Sequence, residues 1–428
     1  MINRGTFLQE IKLHKDTAPV KVVAGIRHSG KSSLFLQFSE YLKASGISDD
    51  HILYLNFETA VFSDIKTAVD IEKFVKTKTK HKGKYYVILD EVQRIKGWEN
   101  IVRSLCAIKK LDIYIAVSSG TLFSKKKESK NANKIVLINC KPLSFAEFKN
   151  NNKPVFLKGT GLLKRAIAIR KAYREQFNNY VEQGGFPAVL LESSGAKQSR
   201  IKDIYSSIIF RDVVERNNIR NIELLERIIK YIFKNLGREI SVKKITEHLE
   251  EINYKKNLSL INHYVQCLEN AFVVKRISRY NIASGKILRT NIKYFIEDHS
   301  LLNAVADVHG NDIQGIYENI LLNDLQRRSF RVWTGKMENE LIDFIAVKND
   351  KIVFVQVINN QDASVTYNDV LQEKIEVFDK LLNNIDTYIE YKERTFYIVN
   401  ADTPSILTRE DNKINIISVQ NFLLLENI

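Results

Sequence analysis

Lys31 and Ser32 close the run Gly25-Ile26-Arg27-His28-Ser29-Gly30-Lys31-Ser32, which meets the spacing G-x-x-x-x-G-K-[ST] at every fixed position. That set of residues can cradle the phosphates of a nucleoside triphosphate. Gly25 and Gly30 permit the backbone angles of an anion-binding turn. Lys31 is placed to reach the β- and γ-phosphates, and the Ser32 hydroxyl to ligate Mg²⁺. Arg27, Ser29 and Ser33 complete the predicted binding set. A second set follows in Tyr85-Tyr86-Val87-Ile88-Leu89-Asp90-Glu91, an apolar run ending in two carboxylates. Asp90 is expected near Mg²⁺ and its waters, and Glu91 beside the attacking water. Either carboxylate alone would read as a solvated strand end; with the phosphate loop the pair reads as catalytic.

These groups need elements to hold them. Val20 to Ala24 before the loop reads as a short buried strand, and Ser33 to Phe38 after it as the first turns of a helix. Strand, Gly-rich turn and helix N-terminus together make an anion site. Further strands are predicted at 51–57, 85–90, 112–118 and 135–140, with helices at 31–44 and 98–110. Such alternation predicts an α/β fold, a parallel sheet covered on both faces. Ile113-Tyr114-Ile115-Ala116-Val117-Ser118-Ser119 is another apolar strand, ending in hydroxyls.

The chain has 428 residues, enough for two to four domains. Its hydrophobic content is 44% and its charged content 27%, ordinary for globular protein. The net charge of +15 favours an anionic partner such as nucleic acid. Part of that excess lies in Lys76 to Lys84, with five lysines, and in Lys125-Lys126-Lys127, both read as solvated loops. Cys106, Cys140 and Cys267 match no metal spacing and fit a reducing cytosol. No signal-peptide core or membrane-length apolar run is present, so a cytoplasmic location without membrane contact is expected.

Four regions are expected. Residues 1–155 hold the phosphate-loop sheet. Residues 156–235 turn helical, punctuated by Gln183-Gly184-Gly185-Phe186-Pro187, and suit a lid over the nucleotide. Residues 236–300 suggest a winged helix-turn-helix. There Ser241 and Ser259 are predicted helix caps, and 272–277 and 293–296 the wing strands. Lys243, Lys244, Lys255, Lys256, Lys275, Arg276, Arg279, Lys286 and Arg289 make this unit basic. It suits duplex DNA, or equally protein contact. Residues 301–428 return to α/β, with a hairpin turning at Lys348-Asn349-Asp350-Lys351.

The chain resembles the prokaryotic AAA+-like P-loop ATPases that carry a C-terminal, nuclease-like domain of unknown function. The matching strings are Gly25-Ile26-Arg27; Tyr54-Leu55-Asn56-Phe57-Glu58; Leu89-Asp90-Glu91-Val92-Gln93 with Gly97-Trp98-Glu99; Lys141-Pro142-Leu143-Ser144-Phe145-Ala146-Glu147-Phe148; Gly184-Gly185-Phe186-Pro187; Glu318-Asn319; and Ile342-Asp343-Phe344 with Val355-Gln356-Val357. The resemblance implies a P-loop domain, a helical lid, a winged-helix-like region and a restriction-endonuclease-like α/β domain. It also implies ATP with Mg²⁺, and gives Ser118 as a candidate sensor of the γ-phosphate, with a plain strand-end cap as the alternative.

Two departures stand out. His28 follows Arg27 where the family often has a second arginine. Lys130-Asn131-Ala132-Asn133-Lys134 replaces a Gly-Arg pair, so the resemblance does not extend to a charged γ-phosphate contact there. Arg211 is a candidate lid or trans arginine, or else the structural partner of a nearby acid. In the C-terminal domain Glu318 and Asp343 match the acid positions of a PD-(D/E)XK nuclease, whereas Gln356 and Ile358 stand where an acid and a lysine belong. A neutral amide is a poor ligand for a hard metal ion, so nuclease activity is not expected. The expected function is an Mg²⁺-dependent ATPase acting as a conformational switch. The alternative is an ATP-responsive DNA-binding regulator or defence component with little turnover. A protein partner or homo-oligomer is compatible with either.

Overall fold

The computed structural model describes residues 2–17, 20–120, 135–152, 162–252, 254, 257–306, 313–358, 367–388, 391, 393–400, 407–408 and 414–428. Lys125 to Lys127, Lys130 to Lys134, Lys255 and Lys256, and the side chain of Arg289, lie outside that set.

The N-terminal part builds on five strands: β1 (Val20–Ala24), β2 (Ile52–Asn56), β3 (Tyr85–Asp90), β4 (Leu111–Val117) and β5 (Ile135–Asn139). All pair in parallel, in the order β2-β3-β4-β1-β5. β1, β3 and β4 are buried along their whole length, as strands covered on both faces must be, and the charges inside them, Lys21 of β1 and Asp112 of β4, pair with each other. On one face Leu34, Phe35 and Phe38 of the helix Lys31–Ala44 pack with Val23, Ile88 and Tyr114. On the other, Ile71 and Val75 of the helix Ala68–Lys78 pack with Val22, Leu89 and Ile113. Strand order reverses at β1, and the loop after β1 therefore opens onto the crevice at the carboxyl edge. The helix expected at 98–110 ends at Leu105, because the chain turns there to start β4 at Leu111.

The middle of the chain is helical. Leu162–Gln183 ends at Gly184, whose φ of +71° is left-handed. Pro187 then opens a short helix. Lys197–Ser207 runs on into Ile208–Glu215, an eight-residue π-helix rather than a continued α-helix. Ile222–Lys234, Val242–Glu251 and Leu258–Asn270 follow. Ser241 caps the second of these by accepting from the Lys244 N–H. The third is capped not by Ser259 but by Asn257, which accepts from the Ser259 N–H at 2.8 Å. Asn257 lies just outside the helix in extended backbone, as a cap must; Ser259 is already inside.

Among the described residues a second sheet has eight strands: β6 (Val274–Asn281), β7 (Lys286–Ile296), β8 (Arg331–Met337), β9 (Glu340–Lys348), β10 (Lys351–Ile358), β11 (Glu393–Asn400), β12 (Leu407–Thr408) and β13 (Ile414–Ser418). Their order is β12-β13-β11-β10-β9-β8-β6-β7. The β6–β7 hairpin is thus an edge of this sheet, with β6 parallel to β8 from Arg279 to Asn281. One apolar cluster runs from Phe145 through the helices to Val399 and Ile417, so helices and sheet share a core. Among the described residues no helix is long and apolar enough to cross a membrane.

Candidate nucleotide site

The phosphate loop is fixed by steric limits as well as by angles. A Cβ on Gly25 would lie 2.1 Å from the Cys140 carbonyl oxygen, so only glycine lets β5 pass this close. Gly30 has φ +95°, and His28 also stands in the left-handed region at φ +65°. Lys31 Nζ donates to the carbonyls of Gly25 and Ile26 at 3.0 and 3.1 Å and lies 3.8 Å from Glu91 Oε1. From below, Arg4 holds the loop. Its Nη1 donates to the Ser29 carbonyl and its Nη2 to the Lys141 carbonyl, at 2.5 and 2.6 Å, while Nε meets Glu147 at 3.1 Å.

β3 delivers the carboxylates. Tyr54 OH donates to Asp90 Oδ2 at 2.7 Å. Burial pushes the Asp90 carboxyl upward, against hydrogen bonds from Ser32 and Tyr54. Its Oδ1 is buried without a hydrogen-bond partner. A buried acceptor oxygen beside a serine hydroxyl is the hard-oxygen pair that Mg²⁺ requires, so Ser32 and Asp90 fit that ion. Glu91 turns into left-handed backbone at φ +55°, which throws its carboxylate toward the loop. There Oε2 accepts from Gln93 Nε2 at 2.5 Å and lies 3.5 Å from Arg27 Nη2.

Arg27 is enclosed by carboxylates. Nε donates to Asp212 Oδ2 at 2.7 Å, and Nη1 to Glu58 Oε1 at 2.8 Å. Ser118, just past β4, donates to Asp212 Oδ1 at 3.0 Å and accepts from Gln93 Nε2 at 2.9 Å. Arg211 Nη1 donates to Glu58 Oε1 at 3.0 Å, and both side chains are well exposed (46% and 38%). Arg216 is the inward arginine of that helix: Nη1 donates to the Ser118 carbonyl at 3.0 Å and Nη2 to Asp212 Oδ1 at 2.9 Å. The His28 imidazole is pushed down to about 4, by burial first and then by Arg27 and Lys31, so it is neutral near pH 7.

A cleft of about 300 Å³ opens here, its lining including Arg27, Lys31, Ser32, Glu91, Pro187 and Leu191. The structure therefore gathers Gly25, Arg27, Ser29, Gly30, Lys31, Ser32, Ser33, Asp90, Glu91 and Ser118 about one crevice, and leaves Arg211 at its rim. Arg4, Gln93, Asp212 and Arg216 were not singled out from sequence. Gln93 stood inside a matching string and Asp212 next to Arg211; Arg4 carried no signal, because its partners are 25 to 143 residues away.

Sheet, loop and carboxylates define a P-loop ATPase domain of the AAA type, and residues 17–149 match a protein family described as an AAA domain. Residues 174–312 match a domain of unknown function. The chain belongs to the same family as an uncharacterized protein of Haemophilus influenzae, with 33% identity over 358 residues, 83% of this chain and 86% of that one. An uncharacterized protein of Methanocaldococcus jannaschii is 27% identical over 407 residues, 92% of this chain and 86% of that one. Among solved structures, the Walker-type ATPase PABY2304 of Pyrococcus abyssi gives a TM-score of 0.44 at 15% identity, covering 72% of this chain and 95% of that one.

Proposed function

We propose that this chain is an Mg²⁺-dependent ATPase that works as a conformational switch. The observation that supports it best is the convergence of Lys31, Ser32, Asp90, Glu91 and Ser118 at the carboxyl edge of one parallel sheet. Lys31 and the loop N–H groups would bind and orient the triphosphate. Mg²⁺, held by Ser32 and Asp90, would neutralise developing charge on the phosphate oxygens. Glu91 would accept the proton of the attacking water, and Ser118 would orient it. Gln93 keeps Glu91 and Ser118 in mutual register. The helices over the cleft supply Asp212 and Arg216, which suits a lid whose position follows the nucleotide.

ATP turnover by wild type and Glu91→Gln tests this reading. Turnover in the wild type that is lost in the variant, with ATP binding retained, supports it. Equal turnover in both sinks it.

The C-terminal sheet fits a nuclease-shaped module that does not cut. Lys293 Nζ sits 3.0 Å from Glu318 and 3.9 Å from Asp343, so an ammonium stands between the two candidate acids. Mg²⁺-dependent plasmid cleavage abolished by Asp343→Ala would overturn that. A second reading, ATP-responsive binding of duplex DNA, draws on the exposed Lys243 and Lys286 of the helix-and-hairpin unit and on the net charge of +15. It requires affinity that falls steeply with salt; a flat salt profile rejects it.

A further inference from the structure

Asp212 is the most heavily used carboxylate at the cleft, and it belongs to the overlying helices, not to the ATPase sheet. It is 2% exposed. Its Oδ2 accepts Arg27 Nε at 2.7 Å, and its Oδ1 accepts Arg216 Nη2 at 2.9 Å, Ser118 Oγ at 3.0 Å and Arg27 Nη2 at 3.3 Å. Arg27 is the other half of the arrangement. It lies inside the phosphate loop, yet each of its three nitrogens faces a carboxylate: Asp212, Glu58 or Glu91. A guanidinium fork matches a phosphate as well as it matches a carboxylate, since both offer adjacent oxygens at similar spacing.

We propose that Asp212 is a stand-in for the terminal phosphate, carried by the helical segment: it holds Arg27 until a γ-phosphate competes for the same guanidinium. A nucleoside diphosphate brings no such competitor, so Arg27 supplies the preference for tri- over diphosphate and Asp212, by competing for it, sets how large that preference is. This rests on the nucleotide-binding reading above. The backbone beneath Asp212 is suited to respond. Ile208–Glu215 is wound as a π-helix, a form that is rare and concentrates at functional sites. When Arg27 leaves, Asp212 keeps Ser118 and Arg216, and the charge balance of that helix changes by one. The difference between the two nucleotides thus reaches the helices through a single ion pair.

Calorimetric titration with ATPγS and with ADP, both with Mg²⁺, tests the proposal on wild type, Asp212→Asn and Arg27→Gln. Asn keeps an acceptor for Ser118 and removes the charge that competes with phosphate. Its preference for ATPγS over ADP should rise on the order of tenfold, the scale of one charge-assisted hydrogen bond. Arg27→Gln should bring the two affinities together, and Asp212→Asn in that background should change nothing further. A merely structural Asp212 would weaken both nucleotides alike and leave their ratio unmoved; that result overturns the proposal. If Asp212→Asn fails to fold, an unchanged ratio in Arg27→Gln overturns it instead. A wild type that binds neither nucleotide defeats the nucleotide-binding reading itself, which is a separate outcome.

Discussion

At the scale of single residues the site is a set of charges that satisfy one another. Lys31 rests on its own loop's carbonyls, and an arriving phosphate replaces neutral acceptors with a charged one. Lys31→Ala should therefore abolish ATP binding in a filter or calorimetric assay while leaving the melting curve close to wild type. His28 gives a pH signature. Its folded value near 4 lies below the ordinary 6.5, so between those values the unfolded chain binds the proton and the folded chain does not. Stability must fall as pH drops through that window, by up to about 3 kcal/mol from this residue. Urea denaturation of His28→Gln and wild type at pH 7 and pH 5 should show a smaller loss in the variant. The acids, Lys31 and Ser32 were readable because their spacing is local. Asp212 and Arg216 were not, since a buried carboxylate on a helix has no pattern of its own and gains meaning only from partners such as Ser118, 94 residues away.

Elements carry the next set of limits. The strands of the first sheet were legible to within a residue or so because each is a short, mostly apolar run; the charges inside two of them, Lys21 and Asp112, pair with each other. The hairpin β9–β10 was equally plain, with Asn349 in left-handed backbone at its turn. The winding of Ile208–Glu215 was not, because eight residues are too few for apolar spacing to tell a π-helix from an α-helix. The N-terminal helix Gly5–Leu13 also gave no sequence signal worth naming, although Phe7 and Ile11 are buried against the sheet. The junction of β1 with its loop depends on the absence of a side chain at Gly25. Gly25→Ala forces a methyl onto the backbone of Cys140, which cannot yield as a flexible side chain would. A loss of roughly 1–3 kcal/mol in unfolding free energy, together with loss of ATP binding, is expected from thermal melts and titration.

For the whole molecule the question is how two sheets become one folding unit. The link is a buried cation at the start of the Lys141 to Phe148 string. Lys141 Nζ pairs with Glu297 Oε1 at 3.0 Å, and Lys275 reaches the other oxygen of the same carboxylate at 2.6 Å. Asn323 and Gln326 complete the shell. Glu297→Gln leaves the buried Lys141 ammonium and the part-buried Lys275 ammonium facing each other without a counter-charge. That should cost about 3–5 kcal/mol. Because Lys141 follows β5 and Glu297 follows β7, the whole chain should lose stability in one shifted transition by calorimetry. Two separate transitions, only one of them moved, would show that the sheets melt independently. The string was visible in the sequence as a signature, but not its purpose, since Glu297 lies 156 residues further on.

The grip of Arg4 on Ser29, Lys141 and Glu147 has a consequence for the order of synthesis. Arg4 leaves the ribosome well before its partners, the last of which is made 143 residues later. Lys141 then waits for Glu297 and Gln326, made 156 and 185 residues after it. A nascent chain with both phosphate-binding motifs already outside the tunnel would still lack the groups that lock the loop from below and behind. Nucleotide retention by stalled chains of increasing length should accordingly rise in steps, after residues 147 and 326 have emerged, and not when Glu91 first appears.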